Sequence, residues 1–419
     1  MKEPLPQEWS KFYLRDVSFV NLMMRRIYNV LIVANPYDAF MLEDDGRIEE
    51  KIYNEYMELG LRYPPMFTQV STTEEAARVL ETTNVDLVIC MPGNADNDAF
   101  DVARSVKAQF PDMPCVVLTP FSHGITKRMA HEDLSMFDYV FCWLGNTNLI
   151  LSIIKLIEDR MNIDHDIAEA GVQMILVVED SIRFYSSILP NLYNYLLQQS
   201  QRFSTEALNK HAATLRMRGR PKVVLARNYS EAMAWYERYA DHTLGVISDG
   251  RFPMGNAVPA DVRSEDKDKE AGMKLLREIR KRDEYIPLIL QSAESENREK
   301  AEAEHFRFVD KNSKTMERDL RKIMEEHKDC RVMIASDSSN FISYIQNRLQ
   351  NVYVVPGEIS HIGTHDSNDA QNIKMFVDYY LIGGARKVFS LWAEGMWKSA
   401  FPEYASMIGG TEFERIELS

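Results

Sequence analysis

Apolar runs of three to six residues alternate along most of this chain with longer segments whose apolar positions recur at helical spacing. Strands are predicted over 30–33, 67–70, 87–90, 115–118 and 139–141, with helical segments between them and a last helix at 148–160. Five strands separated by helices imply a parallel sheet covered on both faces, because parallel neighbours need crossover connections. After a predicted linker at 162–171 the order returns, with strands at 175–178, 223–226, 244–247, 288–290 and 306–309 and an amphipathic helix at 315–327. Val33 and Val178 hold corresponding positions, so the repeat is domain-sized.

The reading divides the chain into a leader (1–28), a first α/β domain (29–161), the linker, a second α/β domain (172–328) and a small α/β unit (331–419). In the last, strands are expected at 332–335, 352–355 and 387–391 and helices at 339–350, 372–383 and 401–408. Between the first two strands of the second copy, Ile182, Tyr185, Ile188, Leu189 and Leu192 share one helical face, with Pro190 an expected kink. That segment closes on Arg216, Arg218, Arg220 and Lys222, read as a solvated helix end. The polar stretch 255–270 lengthens the loop after Asp249; a lid and an insertion without order are both open readings.

At 419 residues the chain can hold two or three cores, and 45% hydrophobic and 27% charged residues are ordinary for globular domains. A net charge of -14 argues against nonspecific binding to nucleic acid or an anionic membrane. Cys90, Cys115, Cys142 and Cys330 lack metal-ligand spacing and read as small core residues in a reducing compartment. With no basic start followed by an apolar stretch, a cytoplasmic location is expected.

The candidate chemistry lies at strand ends of the second copy. Ile175-Leu176-Val177-Val178-Glu179-Asp180 ends in two carboxylates and Leu244-Gly245-Val246-Ile247-Ser248-Asp249 in one. Leu288-Ile289-Leu290-Gln291-Ser292 ends in a hydroxyl, and Phe306-Arg307-Phe308-Val309-Asp310-Lys311 in an ammonium. In an open parallel sheet these ends converge. Three carboxylates together repel, and a hard divalent cation with oxygen ligands, Mg²⁺, is the natural remedy. Asp249 is then a nucleophile towards phosphorus, Lys311 screens phosphoryl oxygens and Ser292 offers a hydroxyl donor. Taken singly, each has a plainer role: a loop cap for Asp249, a helix cap for Ser292, a solvated surface lysine for Lys311.

Acid pair, single Asp, hydroxyl and Lys in this order resemble a response-regulator receiver domain. The resemblance implies two flavodoxin-like (βα)5 domains in tandem, a metal site of Glu179, Asp180, Asp249 and the Arg251 backbone carbonyl, and a switch aromatic at Phe308. It implies a phosphodonor as partner, a histidine kinase or acetyl phosphate. The first copy has Ala34-Asn35 in place of the acid pair, Met91 in place of the acceptor and Cys142 in place of the Lys, keeping only Thr119. It reads as a pseudo-receiver, either a docking module or a domain kept for packing; Glu43, Asp44 and Asp45 read as solvated helix residues.

Residues 21–328 further resemble the paired receiver region upstream of the catalytic part in bacterial proteins similar to phosphoenolpyruvate synthase and pyruvate phosphate dikinase. The likeness rests on Ile27-Tyr28-Asn29-Val30-Leu31-Ile32-Val33, Tyr37-Asp38-Ala39-Phe40-Met41-Leu42-Glu43 and Leu61-Arg62-Tyr63-Pro64-Pro65, with the run ending at Lys311. It implies regulation near the phosphoenolpyruvate-pyruvate node, with a metabolic enzyme or output domain as partner. The synthase's catalytic parts have no counterpart after Cys330.

Residues 331–419 resemble the nucleotide-sugar half of fucosyltransferase-like enzymes through Ala335-Ser336-Asp337-Ser338, Phe376-Val377-Asp378, Ala385-Arg386-Lys387-Val388 and Ser399-Ala400-Phe401. This implies donor contacts from Asp337 and Ser399, for which helix capping is the plainer role. His361, His365 and Asp366 read as surface residues. Three functional readings follow: a phosphorylation-dependent signalling protein, a glycosyltransferase or part of one using a guanine-nucleotide sugar, and a scaffold whose receivers serve as homodimer surfaces.

Overall fold

The computed structural model describes residues 21–61, 63–92, 99–120, 134–143, 145–205, 218–255, 267–283, 286–294, 296–311, 313, 318–319, 332–336, 352–353, 382, 385, 387–393, 401–409 and 412–418. Residues 21–326 belong to one compact unit and residues 327–419 to a second.

In the first unit, β1 (Asn29–Val33), α1 (Pro36–Gly46), α2 (Ile48–Glu58), β2 (Met66–Val70), α3 (Thr73–Thr82), β3 (Leu87–Cys90), α4 (Ala99–Gln109), β4 (Cys115–Pro120), β5 (Tyr139–Trp143) and α5 (Asn148–Ala170) come first. Then follow β6 (Met174–Val178), α6 (Ile182–Thr205), β7 (Lys222–Ala226), α7 (Tyr229–Tyr239), β8 (Thr243–Asp249), α8 (Ala271–Arg282), β9 (Leu288–Ser292), α9 (Glu296–Ala303) and β10 (Arg307–Asp310). The sheets run β2-β1-β3-β4-β5 and β7-β6-β8-β9-β10 with every pairing parallel. Both have the flavodoxin-like order 2-1-3-4-5, so the expected α/β class and the repeat hold.

Strand alternation divides the cores. Val30 and Ile32 of β1 and Ile175 and Val177 of β6 enter one shared cluster. Leu31 and Val33 face a second core, and Met174, Leu176 and Val178 a third. The shared cluster includes apolar residues of α5 from Leu149 to Ile157 and of α6, while Ile163 and Ile167 at the end of α5 enter the third core, so the two sheets pack through these helices. Cys90, Cys115 and Cys142 are buried and free, as expected, and Cys330 lies outside the described residues. Among the described residues no helix is long and apolar enough to cross a membrane.

Two expectations are corrected here. The stretch 162–170, read as linker, continues α5 without a break, and Gly171 ends the helix in the left-handed region (φ 64°), its N–H bonding the Ile167 carbonyl (2.8 Å) while the Val172 N–H reaches the Asp166 carbonyl (3.4 Å). Its polar residues looked solvated because their partners are distant in sequence. The Asn162 carboxamide accepts from the Arg25 N–H (2.9 Å) and donates to the Arg25 carbonyl (2.6 Å), and Asp166 accepts from the Met23 N–H (3.1 Å). Glu158 accepts from the Ile27 N–H, so the end of the leader is strapped along α5.

The basic end of the α6 segment is not a solvated surface either. Arg220 forks onto buried Asp159 (2.7 and 2.9 Å), which also accepts from the Tyr193 hydroxyl and the Val223 N–H. Fully buried Lys222 lies 2.8 Å from Asp166. Arg218 is half-buried, and Arg216 lies outside the described residues. The helix α6 runs through Pro190, with Tyr185, Ile188, Leu189 and Leu192 buried as its periodicity predicts.

In the second unit, β11 (Val332–Met333) pairs parallel to β12 (Val352–Tyr353), and β13 (Lys387–Ala393) to β14 (Glu412–Leu418), with α10 (Phe401–Gly409) between the latter two. Ile382, Val388 and Ala405 form its buried cluster. The strand β14 was not expected, although Phe413, Ile416 and Leu418 among charged neighbours mix apolar and charged positions as strands do. The helices expected at 339–350 and 372–383 fall outside the described residues except at position 382, as does most of the one at 315–327.

Arg220→Met leaves the Asp159 carboxylate buried with its charge uncompensated. It is expected to lower the unfolding free energy by about 3–5 kcal/mol. Removing the exposed Arg238 to Asp164 pair should cost under about 1 kcal/mol; denaturant titration measures both.

Candidate phosphoryl-acceptor and metal site

The parallel order puts the C-terminal ends of β6, β8, β9 and β10 along one edge, with the order reversing between β6 and β8. Three carboxylates meet there. One oxygen from each of Glu179, Asp180 and Asp249 lies within 4.8 Å of the others, Glu179 and Asp180 being buried and Asp249 half-buried. The backbone supports this edge: the Glu179 N–H bonds the Ala226 carbonyl (3.0 Å) and the Gly250 N–H bonds the Gln291 carbonyl (2.9 Å).

Lys311 is buried rather than solvated. Its ammonium pairs with Glu179, lies 2.8 Å from Asp249 Oδ1, and sits 4.4 Å from the ring centre of Phe184 on the first turn of α6. Burial pulls the Lys311 pKa down, but Glu179 and Asp249 more than offset this and the net direction is upward. Burial, aided by the charge of Asp249 and opposed by Lys311, pushes the Glu179 carboxyl up to about 8. Asp180 is raised by burial, against the pull of Lys267.

Ser292 is a cap as well as a site residue. Its hydroxyl oxygen accepts from the Glu294 N–H (3.1 Å) and the Asn297 side-chain amide (2.9 Å), which leaves the hydroxyl hydrogen as what it can donate. Phe308 is half-buried, with the Arg298 guanidinium 4.8 Å from its ring centre. Arg251 stands two residues beyond Asp249 and is half-buried. The expected residues from Glu179 to Lys311 are thus brought to one edge. Asp337 and Ser399, with His361, His365 and Asp366, lie outside the described residues.

Three contributors escaped sequence reasoning. Phe184 has a local signal, four positions after Asp180. Lys267, 2.5 Å from Asp180, belongs to the polar stretch treated as a loop. Gly272 is the third: a Cβ there would stand 2.0 Å from the Asp249 carbonyl oxygen and 2.9 Å from Gly250 Cα. The backbone of α8 therefore supports the acceptor strand at a separation only glycine permits.

The residues suit a hard divalent cation. The donors are carboxylate oxygens, and Asp180 Oδ1 is buried with no hydrogen-bond partner among the described residues.

At the equivalent edge of the first sheet, Ala34 and Met91 are buried and apolar. Asn35 caps α1 by accepting from the Asp38 N–H (2.9 Å). The Cys142 N–H is taken by Ser186 Oγ of α6 (2.9 Å). Glu43, Asp44 and Asp45 lie in α1, with side chains outside the described set.

No protein-family model matches this sequence, and no curated protein matches it. Solved structures similar to parts of it include the response regulator protein TrrA from Thermotoga maritima in complex with Mg²⁺-BeF, at 21% identity and TM-score 0.23, over 31% of this chain and 97% of that one. The signal receiver domain of a signal transduction histidine kinase from Syntrophus aciditrophicus matches at 20% identity and TM-score 0.24, over 32% of this chain and 91% of that one. A putative two-component response regulator/GGDEF domain protein matches at 15% identity and TM-score 0.29, over 71% and 98%. Scores of this size carry no assignment, and the fold statement rests on the sheet order.

Two outcomes are expected. Between pH 4.5 and 8 the native Glu179 keeps a proton that the unfolded chain has lost, so metal-free stability falls as pH rises across that window. Glu179→Gln should flatten this slope, and the Mg²⁺-induced rise in Tm should be larger at pH 8.5 than at pH 6; thermal melts at both pH values check it. Gly272→Ala should cost about 1–3 kcal/mol by overpacking against β8 and weaken Mg²⁺ binding, read by denaturation and calorimetry.

Proposed function

We propose that the chain is a phosphorylation-dependent signalling protein in which Asp249 accepts a phosphoryl group. The observation that carries this reading is the convergence of Asp249 with Glu179, Asp180, Lys311 and Ser292 at one edge of a 2-1-3-4-5 parallel sheet. A carboxylate oxygen of Asp249 forms the new bond to phosphorus while the bond to the donor's leaving group breaks, giving an acyl phosphate. Lys311, fixed by two carboxylates and the Phe184 ring, presents positive charge to the incoming oxygens. The Ser292 hydroxyl donates to a phosphoryl oxygen. Bound Mg²⁺, held by Glu179, Asp180 and Asp249 with the Arg251 carbonyl, would supply charge neutralisation there.

The donor is a phosphohistidine protein or a small acyl phosphate. In this reading the first α/β domain is a docking module that is not phosphorylated: its edge has no carboxylate at the Ala34 and Met91 positions, and α6 covers the Cys142 backbone. Action near the phosphoenolpyruvate-pyruvate node rests only on sequence resemblance. Phe308, stacked by Arg298, is the residue whose surroundings would report the modification.

The test is intact mass after incubation with acetyl phosphate and Mg²⁺. One added phosphoryl group is expected in the wild type and none in Asp249→Ala. Absence of an adduct, with no Mg²⁺-dependent beryllofluoride binding, would sink the proposal.

A further inference from the structure

The pocket contains a second ammonium that phosphoryl transfer does not require. Lys267 Nζ lies 2.5 Å from Asp180 Oδ2, with Lys267 partly exposed and Asp180 buried. Its backbone is anchored by the next residue: Asp268 forms a bridge to Phe252, its N–H bonding the Phe252 carbonyl (3.2 Å). The Asp268 carboxylate in turn accepts from the Glu270 N–H (2.8 Å) and from Lys274 Nζ (2.5 Å). Lys267 is thus held at the pocket by the chain on its C-terminal side.

Metal-free, Lys311 sits between Glu179 and Asp249, and Lys267 occupies one oxygen of Asp180 while the other, Oδ1, is buried without a partner among the described residues. A divalent cation taking Asp180 as ligand would share that carboxylate with the ammonium, and two like charges a few ångströms apart in a partly buried site oppose each other. We propose that Lys267 is a tethered counter-cation that competes with a divalent cation for Asp180 and so weakens cation binding. This rests on the reading of the pocket as a divalent-cation site. The competition supplies charge compensation when the metal is absent, at a cost in affinity when it is present.

The experiment is calorimetric titration of the full chain with Mg²⁺ alone at pH 8, for wild type, Lys267→Met, Lys267→Gln, Lys267→Arg and Asp180→Asn. Removing the charge with either Met or Gln is expected to lower the Mg²⁺ Kd at least about fivefold, and Lys267→Arg to leave it near the wild-type value. The metal-free Tm of Lys267→Met should fall while its Mg²⁺-induced rise in Tm grows. A fall in metal-free Tm with an unchanged or higher Kd would make Lys267 a plain ion-pair partner and overturn the proposal. If wild type binds Mg²⁺ and Asp180→Asn does not, the pocket reading stands whatever Lys267→Met does. If neither wild type nor the Lys267 variants bind Mg²⁺, the pocket reading fails and this inference falls with it.

Discussion

The carboxylate of Asp159 sits fully buried in the middle of α5, and the architecture of residues 21–326 is arranged around its neutralisation. Arg220 meets both of its oxygens, and Tyr193 of α6 and the backbone of β7 take its remaining acceptor capacity. Next to it in sequence Glu158 pairs with Lys155, and two turns on Asp166 pairs with Lys222. An ion buried alone costs several kcal/mol, so each pair is compatible with folding only when its partner segment is in place. Lys155 lies on α5 itself, but Arg220 and Lys222 come from the start of the second sheet and the leader adds backbone N–H donors from Met23 and Ile27, so these charges tie all three segments together.

The same electrostatic constraint, met differently, shapes the sheet edge. In α5 every buried carboxylate finds protein donors; at Glu179, Asp180 and Asp249 the donors are incomplete and a buried oxygen of Asp180 is left over. Among the described residues, the buried charges of α5 are paired within the protein, while this group keeps an unpartnered carboxylate oxygen where the strand order reverses. The helix α6 links this edge to β5 of the first sheet through consecutive residues. Phe184 meets Lys311, the Tyr185 hydroxyl donates to the Val140 carbonyl, and Ser186 holds the Cys142 N–H.

The strand cores were legible because fully buried parallel strands read as unbroken apolar runs, and the acids, serine and lysine end those runs within two residues of where the strands stop. The tail of α5 was not legible. Asn162, Asp164, His165 and Asp166 resemble a solvated connection, and contacts distant in sequence, of Asn162 to Arg25 and of Asp166 to Met23 and Lys222, show why Asn162 and Asp166 are inside. Arg220 and Lys222 misled for the same reason: a cation looks solvated until its carboxylate is located. Gly272 carries no local pattern, since its role is a close approach to the Asp249 backbone that only the folded chain creates.

Because α5 runs unbroken from Asn148 to Ala170 and packs in the cores of both sheets, the relation between the sheets is set by a count of residues. Each residue of an α-helix turns the chain by about 100° and advances it by about 1.5 Å. One inserted residue beyond Asp159 would swing Asp166 away from Lys222 and from the Met23 backbone together. Ordinary tandem domains can lengthen or shorten their connection one residue at a time; this pair can change its spacing only in near-whole helical turns, and is locked in register like two gears on a single shaft.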